Sequence, residues 1–248
     1  GPQTFLEQNL LRFPQAKTSS AAFGSAMHKA LELSYRSLRR KNRLPTFKDV
    51  SLFFTEALRD ERLSAHDFDL QKERGIKSLK VFYATKKKMF YADDLVEVNF
   101  KNQGVVILGV PLSGKIDKMV KEKGGEISVY DWKTGEAHIS WNSSGLYDKI
   151  QLHQYARQLM FYKLLVEHSR DFREYNVSKG VLEFLEPRKG EIIDLPLTLT
   201  EDGVSRTQAL ISVVYKKILN LDFPSIEKYE KNLSGIIAFE NDLLSGKI

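Results

Sequence analysis

The hydrophobic period of this chain changes near residue 92, and the change restricts the folds that the chain can adopt. Before it, apolar residues recur at helical spacing, for example at Phe23, Met27, Leu31 and Tyr35. After it come short runs that alternate in polarity or are continuously apolar, as strands are, over 95–100, 105–110, 114–120 and 126–132. Gly124-Gly125 separates the last two runs, so we expect an antiparallel meander with a tight turn at this pair.

The remainder of the chain predicts a long helix, then two strands, then two helices, over 147–168, 178–184, 191–195, 200–219 and 223–248. This order predicts an α/β fold with a mixed central β-sheet flanked by helices and an N-terminal helical segment. We expect one domain over 1–248, made of a mainly helical part (1–92), a sheet with its following helix (93–195) and C-terminal helices (196–248).

Composition excludes several classes of protein. The chain has no cysteine, which excludes disulfides, iron–sulfur clusters, cysteine-ligated zinc and cysteine nucleophiles. No stretch reaches the ~18 apolar residues of a membrane span. No signal peptide is readable, so we expect a cytoplasmic location without membrane contact. The 38 Lys and Arg against 32 Asp and Glu give a net charge of +6, which is compatible with a polyanionic partner but does not establish one.

Two aspartates and a lysine lie on neighbouring strand signals. A hairpin would bring Asp117 beside Asp131, and carboxylates that close repel each other unless a cation is present. Oxygen ligands favour Mg²⁺ or Mn²⁺. Lys133 is two residues after Asp131 and therefore points to the same face, where it can orient or deprotonate a water. This set is suited to metal-assisted hydrolysis of a phosphodiester, and a surface Asp–Lys pair is the alternative.

A second pattern in the same region indicates different chemistry. Gly109 to Lys115 fits the phosphate-loop spacing G-x-x-x-x-G-K and follows an apolar run. The next residue is Ile116, where that loop needs Ser or Thr to bind Mg²⁺, and no capped apolar helix follows. A nucleotide-binding protein is therefore a disfavoured alternative.

Four motifs in order carry a family resemblance: FGSAMHKALE (23–32), GKIDKM (114–119), VYDWKTGE (129–136) and QLHQY (151–155). They resemble the RecB/AddB-type branch of the PD-(D/E)XK nuclease superfamily, which has a Gly-x-x-x-His helix, a Gly-x-Ile-Asp strand, an Asp-x-Lys-Thr-Gly strand and a Gln-x-x-x-Tyr helix. The resemblance implies a restriction-endonuclease-like core and a metal-dependent deoxyribonuclease. It implies phosphodiester hydrolysis on single-stranded DNA or DNA ends, in recombination or repair.

The same resemblance implies a metal site. His28, Asp117 and Asp131 would hold Mg²⁺ or Mn²⁺, with the backbone carbonyl of Trp132 as a further ligand. Without the resemblance, His28 would be interpreted as a hydrogen-bonded histidine on the apolar side of its helix. The alternation of the strand predicts that the Trp132 side chain packs under the sheet, away from Asp131.

The resemblance also implies catalytic and positioning roles. Lys133 would be the catalytic lysine, acting beside Asp117 and Asp131. Gln151 and Tyr155, which share one helix face, would shape the site or contact DNA. Glu97 matches an acidic position that such proteins often carry. His138 matches no motif position, but it follows the site loop.

Relatives of this kind commonly lie at the end of a helicase chain, and many carry a cluster-binding set of four cysteines that this chain lacks. Residues 5–14 resemble the end of a segment that often precedes the core, so we expect a fragment of a longer protein with a helicase domain on the native chain. The competing function is a catalytically silent, nuclease-like DNA-binding module of a helicase complex.

Basic and aromatic residues suggest further contacts with DNA. Arg39, Arg40 and Lys41 form a basic cluster that could follow a phosphate backbone, or equally be a solvated helix face. Trp141 lies in a polar loop and could stack on an unpaired base, or equally anchor the loop.

Overall fold

The computed structural model describes residues 6–11 and 17–248. Its α-helices are α1 (Ser19–Lys41), α2 (Phe47–Asp60), α3 (Ala65–Lys86), α4 (Leu146–Glu167), α5 (Glu201–Leu219) and α6 (Leu233–Leu244). A short π-helical segment, Leu6–Leu10, precedes α1, and the interpretation of 5–14 falls partly outside the described residues. Among the described helices, none combines the length and apolar content that a membrane crossing requires.

The helix starts follow from side chains that accept hydrogen bonds from otherwise unpaired backbone N–H groups. Thr18 Oγ1 accepts from the N–H of Ala21 at 3.1 Å at the start of α1. Thr46 and Asp49 form a reciprocal capping box at α2. The other capped starts are at Ser64, Thr200 and Asn232. These local signals explain why residues 19–86 form helices, as predicted.

The strands are β1 (Leu95–Asn99), β2 (Val106–Ile107), β3 (Val110–Pro111), β4 (Lys115–Lys121), β5 (Glu126–Lys133), β6 (Asn176–Phe184) and β7 (Asp194–Thr198). Five of them form one sheet in the order β1-β4-β5-β6-β7. β1, β4 and β5 are the predicted antiparallel meander, with Gly124 and Gly125 at φ 76° and 81° in the turn. β5 and β6 are parallel and are connected through α4, whereas β7 is antiparallel to β6. The predicted mixed sheet flanked by helices is confirmed.

Three predicted segments differ from the structure. The run 105–110 is not one strand of the meander, because Leu108 and Gly109 have φ 47° and 80° and turn the chain between β2 and β3. The last strand is shifted from 191–195 to Asp194–Thr198, since an Arg188–Glu191 bridge forms a turn before it. In the tail, helix α6 covers only Leu233–Leu244.

The two faces of the sheet pack against different sets of helices. One core contains residues of α1, α2 and α3 together with the buried side chain of Trp132. The other contains residues of α4 and the start of α5, together with Val129 and Leu182 of the sheet. Successive residues of β5 alternate between these cores, so Trp132 packs on the face opposite Val129, as predicted.

Candidate active site

Strand register aligns three carboxylates across the sheet. The antiparallel pair Lys118–Tyr130, extended by one residue, sets Asp117 of β4 opposite Asp131 of β5. The pairing of β1 with β4 likewise sets Glu97 opposite Asp117. Glu97 has φ 53°, a left-handed conformation that is unusual for a non-glycine residue inside a strand. Such backbone strain concentrates at functional sites, and here it lies in the row of carboxylates.

Helix α1 brings His28 against the end of β5. Its Nε2 lies 2.9 Å from the carbonyl oxygen of Trp132, and the two rings pack edge to face with 5.6 Å between their centroids. Gly24, one turn earlier, permits this approach, because a Cβ atom there would lie 3.2 Å from Thr134 Oγ1. The Gly-x-x-x-His spacing therefore has a steric reason. The missing side chain of Gly24 lets helix α1 pack close to the end of β5, and the histidine one turn later then faces the site.

Three side chains could hold a metal ion together. His28 Nδ1 lies 3.3 Å from Asp117 Oδ1 and 4.0 Å from Glu97 Oε1. One ligand atom from each of the three residues lies within 4.8 Å of the others. The structure therefore brings the predicted residues His28 and Asp117 together, adds Glu97 to them, and places the Trp132 carbonyl next to the imidazole.

The electrostatics of this cluster suit a divalent cation. Glu97 Oε1 and Asp131 Oδ2 are buried and, among the described atoms, lack a hydrogen-bond partner. Lys115 pairs with the other Glu97 oxygen, and this bond raises the pKa of Lys115. Burial opposes the charge of His28, but the hydrogen bond to Asp117 and the surrounding carboxylates outweigh it, so the pKa of His28 is raised. A negative site with buried acceptors that lack donors fits a cation that prefers oxygen and imidazole ligands.

Asp131 lies on the α4 side of this cluster. Its Oδ2 is 2.6 Å from Lys133 Nζ, in an ion pair that lacks hydrogen-bond geometry, and its Oδ1 accepts from the hydroxyl of Tyr162 at 2.9 Å. Burial, aided by the nearby charge of Asp117, raises the pKa of Asp131 despite the ammonium of Lys133. Asp131 and Lys133 thus form one buried unit beside the His28 cluster.

The predicted pair Gln151 and Tyr155 lies next to Lys133. Gln151 Nε2 donates to the Tyr155 hydroxyl at 2.8 Å, and the Lys133 ammonium lies 4.2 Å from the centroid of the Tyr155 ring. The other amide atom, Gln151 Oε1, lies 2.8 Å from His138 Nε2. The motif pair therefore touches the lysine through the aromatic face and is bonded in turn by His138.

Sequence analysis missed two side chains of the same helix. Gln158 Oε1 accepts from Lys133 Nζ at 2.8 Å, and Gln158 Nε2 donates to the Tyr162 hydroxyl at 3.0 Å. The signal was present, since QLHQY (151–155) is followed by QLMFY (158–162), the same Gln-x-x-x-Tyr spacing seven residues later. Seven residues are two helical turns, so both pairs face the sheet.

A buried ion cluster lies on the opposite face of the sheet. Glu183 Oε2 accepts from Lys118 Nζ at 3.0 Å and from the indole Nε1 of Trp132 at 2.8 Å, while Lys86 Nζ is 3.3 Å from Glu183 Oε1. Burial alone would raise the pKa of Glu183, but the two lysines outweigh it and hold the pKa below its ordinary value. This cluster fixes the side chain of Trp132, whose backbone contacts both His28 and Asp117.

The predicted DNA contacts have varied surroundings. Arg39 donates to the backbone carbonyls of Ala92 and Asp94, whereas Arg40 and Lys41 are exposed at the end of α1, ~18 Å along the helix from His28. Trp141 Nε1 donates to the carbonyl of Pro196 at 2.6 Å, and its ring packs against the core, which is a loop anchor.

Apolar side chains that sequence analysis did not single out are exposed at this edge. Tyr147, one turn before Gln151 on α4, is 83% exposed, and Ile139, next to His138, is 68% exposed. Ile139 lies in the segment that joins β5 to α4, and Tyr147 lies in the first turn of α4.

Three comparisons with known proteins were made. A search of curated proteins finds no match. One similar solved structure, described as "Crystal structure of SSO0001", is 17% identical over 89% of this chain and 84% of that chain, with a TM-score of 0.36. The family model of the PD-(D/E)XK nuclease superfamily matches residues 2–230. The chain therefore belongs to the PD-(D/E)XK nuclease superfamily.

Proposed function

We propose that this protein is a Mg²⁺- or Mn²⁺-dependent deoxyribonuclease that hydrolyses phosphodiester bonds. Membership of a superfamily of metal-dependent nucleases supports the reaction class. The observation that carries the proposal is the cluster of His28, Glu97 and Asp117 directly beside the Asp131–Lys133 unit. A cation site with a lysine two residues along the same strand face is suited to metal-assisted hydrolysis of a phosphodiester.

Each residue has a role in this proposal. His28, Glu97, Asp117 and the Trp132 carbonyl would hold the cation, with Asp131 as a further ligand through Oδ2, which is ion-paired with Lys133 but accepts no hydrogen bond. When bound, the cation supplies Lewis-acid activation of the phosphodiester.

Lys133 acts on the other side of Asp131. Its ammonium orients the attacking water and offsets negative charge that develops on the phosphate. Gln151 and Tyr155 shape the wall of the site beside this lysine.

DNA with unpaired bases is the proposed substrate, as single strands or duplex ends. The exposed ring of Tyr147, one turn before Gln151 on α4, offers a stacking surface to an unpaired base, and the exposed side chains of Leu146 and of Ile139, the residue after His138, add apolar surface. The net charge of +6 favours a polyanion. A role in recombination or repair, beside a helicase domain on the native chain, rests on the RecB/AddB-type resemblance of the motifs.

A nuclease assay tests the proposal. Linear end-labelled and circular single-stranded DNA are incubated with Mn²⁺, with Mg²⁺ and with EDTA. We expect metal-dependent loss of DNA that Asp117→Ala and Lys133→Ala reduce to a small residual rate, while Lys149→Ala, an exposed lysine of α4, cleaves like wild type. Loss of the linear substrate alone indicates an exonuclease. Intact DNA with wild type, together with DNA binding but no Mn²⁺ binding by calorimetry, would support the silent binding module instead.

A further inference from the structure

We propose that Gln158 and Tyr162 are positioning residues that hold Lys133 and Asp131 in their reactive arrangement. This inference rests on the proposed nuclease function. It assigns a role to the second Gln-x-x-x-Tyr pair of α4, two turns beyond the motif pair Gln151 and Tyr155.

The four side chains form a closed ring of polar contacts. Lys133 Nζ lies 2.6 Å from Asp131 Oδ2 and donates to Gln158 Oε1 at 2.8 Å. Gln158 Nε2 donates to the Tyr162 hydroxyl at 3.0 Å, and that hydroxyl donates to Asp131 Oδ1 at 2.9 Å. Each contact constrains the next, so neither the carboxylate nor the ammonium can rotate without breaking a bond.

Donor and acceptor chemistry fixes the direction of this ring. The ammonium of Lys133 has no acceptor, so Gln158 must turn its carbonyl oxygen towards it and its NH₂ group towards Tyr162. Tyr162 then receives a bond from the amide and has its single proton free for Asp131. Asp131 therefore accepts its hydrogen bond through Oδ1. Its other oxygen, Oδ2, accepts no hydrogen bond and faces the ammonium of Lys133.

Burial makes these contacts energetically significant. Asp131 and Tyr162 are buried, and Gln158 and Lys133 are only partly accessible. Water cannot readily replace a lost partner of a buried carboxylate, so removing the tyrosine hydroxyl leaves Asp131 Oδ1 unsatisfied. Tyr155 differs, because it meets Lys133 through its ring and its hydroxyl is bonded to Gln151 rather than to Asp131.

The predicted effect is on turnover and not on DNA affinity. Mutation of a residue that orients a reactive group through a hydrogen bond typically lowers activity by about 10–100-fold. We therefore expect Tyr162→Phe and Gln158→Ala to lower kcat about 10–100-fold while KM for DNA stays within about twofold. Gln154→Ala, an exposed glutamine one turn earlier on α4, is the matched control and should retain wild-type kcat.

A double-mutant test separates positioning from a merely structural role. If Gln158 acts through Lys133, then Gln158→Ala should cause no further loss of the residual activity of Lys133→Ala, whereas a structural defect would lower it again. Likewise, Tyr162→Phe should add nothing to Asp131→Ala. Thermal unfolding of each variant checks that the fold is retained.

The outcomes distinguish the two proposals. Cleavage by wild type that Lys133→Ala reduces to a residual rate, with Gln158→Ala and Tyr162→Phe both within threefold of wild type, overturns this inference alone. Additive losses in the double variants also overturn it. A wild-type protein without metal-dependent cleavage overturns the proposed function, and this inference with it.

Discussion

Replacing Glu183 by glutamine removes one charge from the buried ion cluster on the face of the sheet opposite the candidate active site, while keeping the shape of the side chain. The carboxylate is only 3% exposed and faces two lysines. After the change, Lys86 keeps its ion pair with Asp194. Lys118 has no other carboxylate within 4.0 Å among the described residues, so one buried cation loses its counter-charge and is left over the ring of Tyr130, 4.0 Å from the centroid.

The size of the effect follows from that cation. Breaking a buried ion pair by removing one partner costs about 3–5 kcal/mol. Since a domain is stable by only about 5–15 kcal/mol, Glu183→Gln should remove a large part of the free energy of unfolding.

Urea denaturation of wild type and variant measures this difference. The matched control is the double variant Glu183→Gln with Lys118→Met, which removes the orphaned cation and should recover at least about 2 kcal/mol. A decrease in the free energy of unfolding below about 1 kcal/mol in the single variant would refute the reasoning, because so small a change is typical of an ion pair that is exposed to water.

Three further predictions address other parts of the molecule. Gly75→Ala should destabilise the fold by about 1–3 kcal/mol, measured by thermal unfolding, because a Cβ atom there would lie 2.1 Å from Phe54 Cζ. An unchanged midpoint would contradict this packing. Burial alone would raise the pKa of Glu240, but its bonds to His153, Arg157 and Arg206 outweigh burial and lower it. The ionised Glu240 carboxylate should therefore contribute its full share of the free energy of unfolding above the ordinary carboxyl pKa, and this share should be lost as pH falls through the lowered pKa. In Glu240→Gln, the loss of stability with falling pH, measured by urea denaturation at several pH values, should be smaller than in wild type. The same pH dependence in both proteins would contradict the prediction. Tyr147→Ala should weaken binding of single-stranded DNA by about 1–3 kcal/mol in a fluorescence titration and leave duplex binding unchanged. An equal loss on both DNAs would indicate a contact with the backbone rather than with bases.

The sequence contained enough local information for the sheet and for part of the site. Alternating polarity and the Gly124-Gly125 turn predicted the meander, and its register places Asp117 opposite Asp131. Motif spacing predicted that His28 and Asp117 come together, which they do at 3.3 Å. These features depend on residue type at short range or on a motif, and both are readable in a single chain.

Other features depend on contacts that no local pattern encodes. Arg39 belongs to a basic cluster that, by charge, could follow DNA or be a solvated helix face, and its bonds to backbone carbonyls of residues more than fifty positions away are not readable from that charge. The run 105–110 reads as a strand by hydropathy, but Leu108 and Gly109 adopt left-handed conformations that end it. Gln158 repeats a motif spacing, but its bond to Lys133 depends on how α4 lies across β5. In each case tertiary placement decides the role.

The ion cluster around Glu183 has a consequence for how the chain folds. Side chains of a strand change faces with every residue, so a slip of one position between β4 and β5 would turn Lys118 towards α4 and away from Glu183, which would keep its ion pair with Lys86. The same slip would separate Asp117 from Asp131. A misaligned sheet would therefore bury the charge of Lys118 without its carboxylate partner, and the cluster favours the register that aligns the carboxylates of the candidate site.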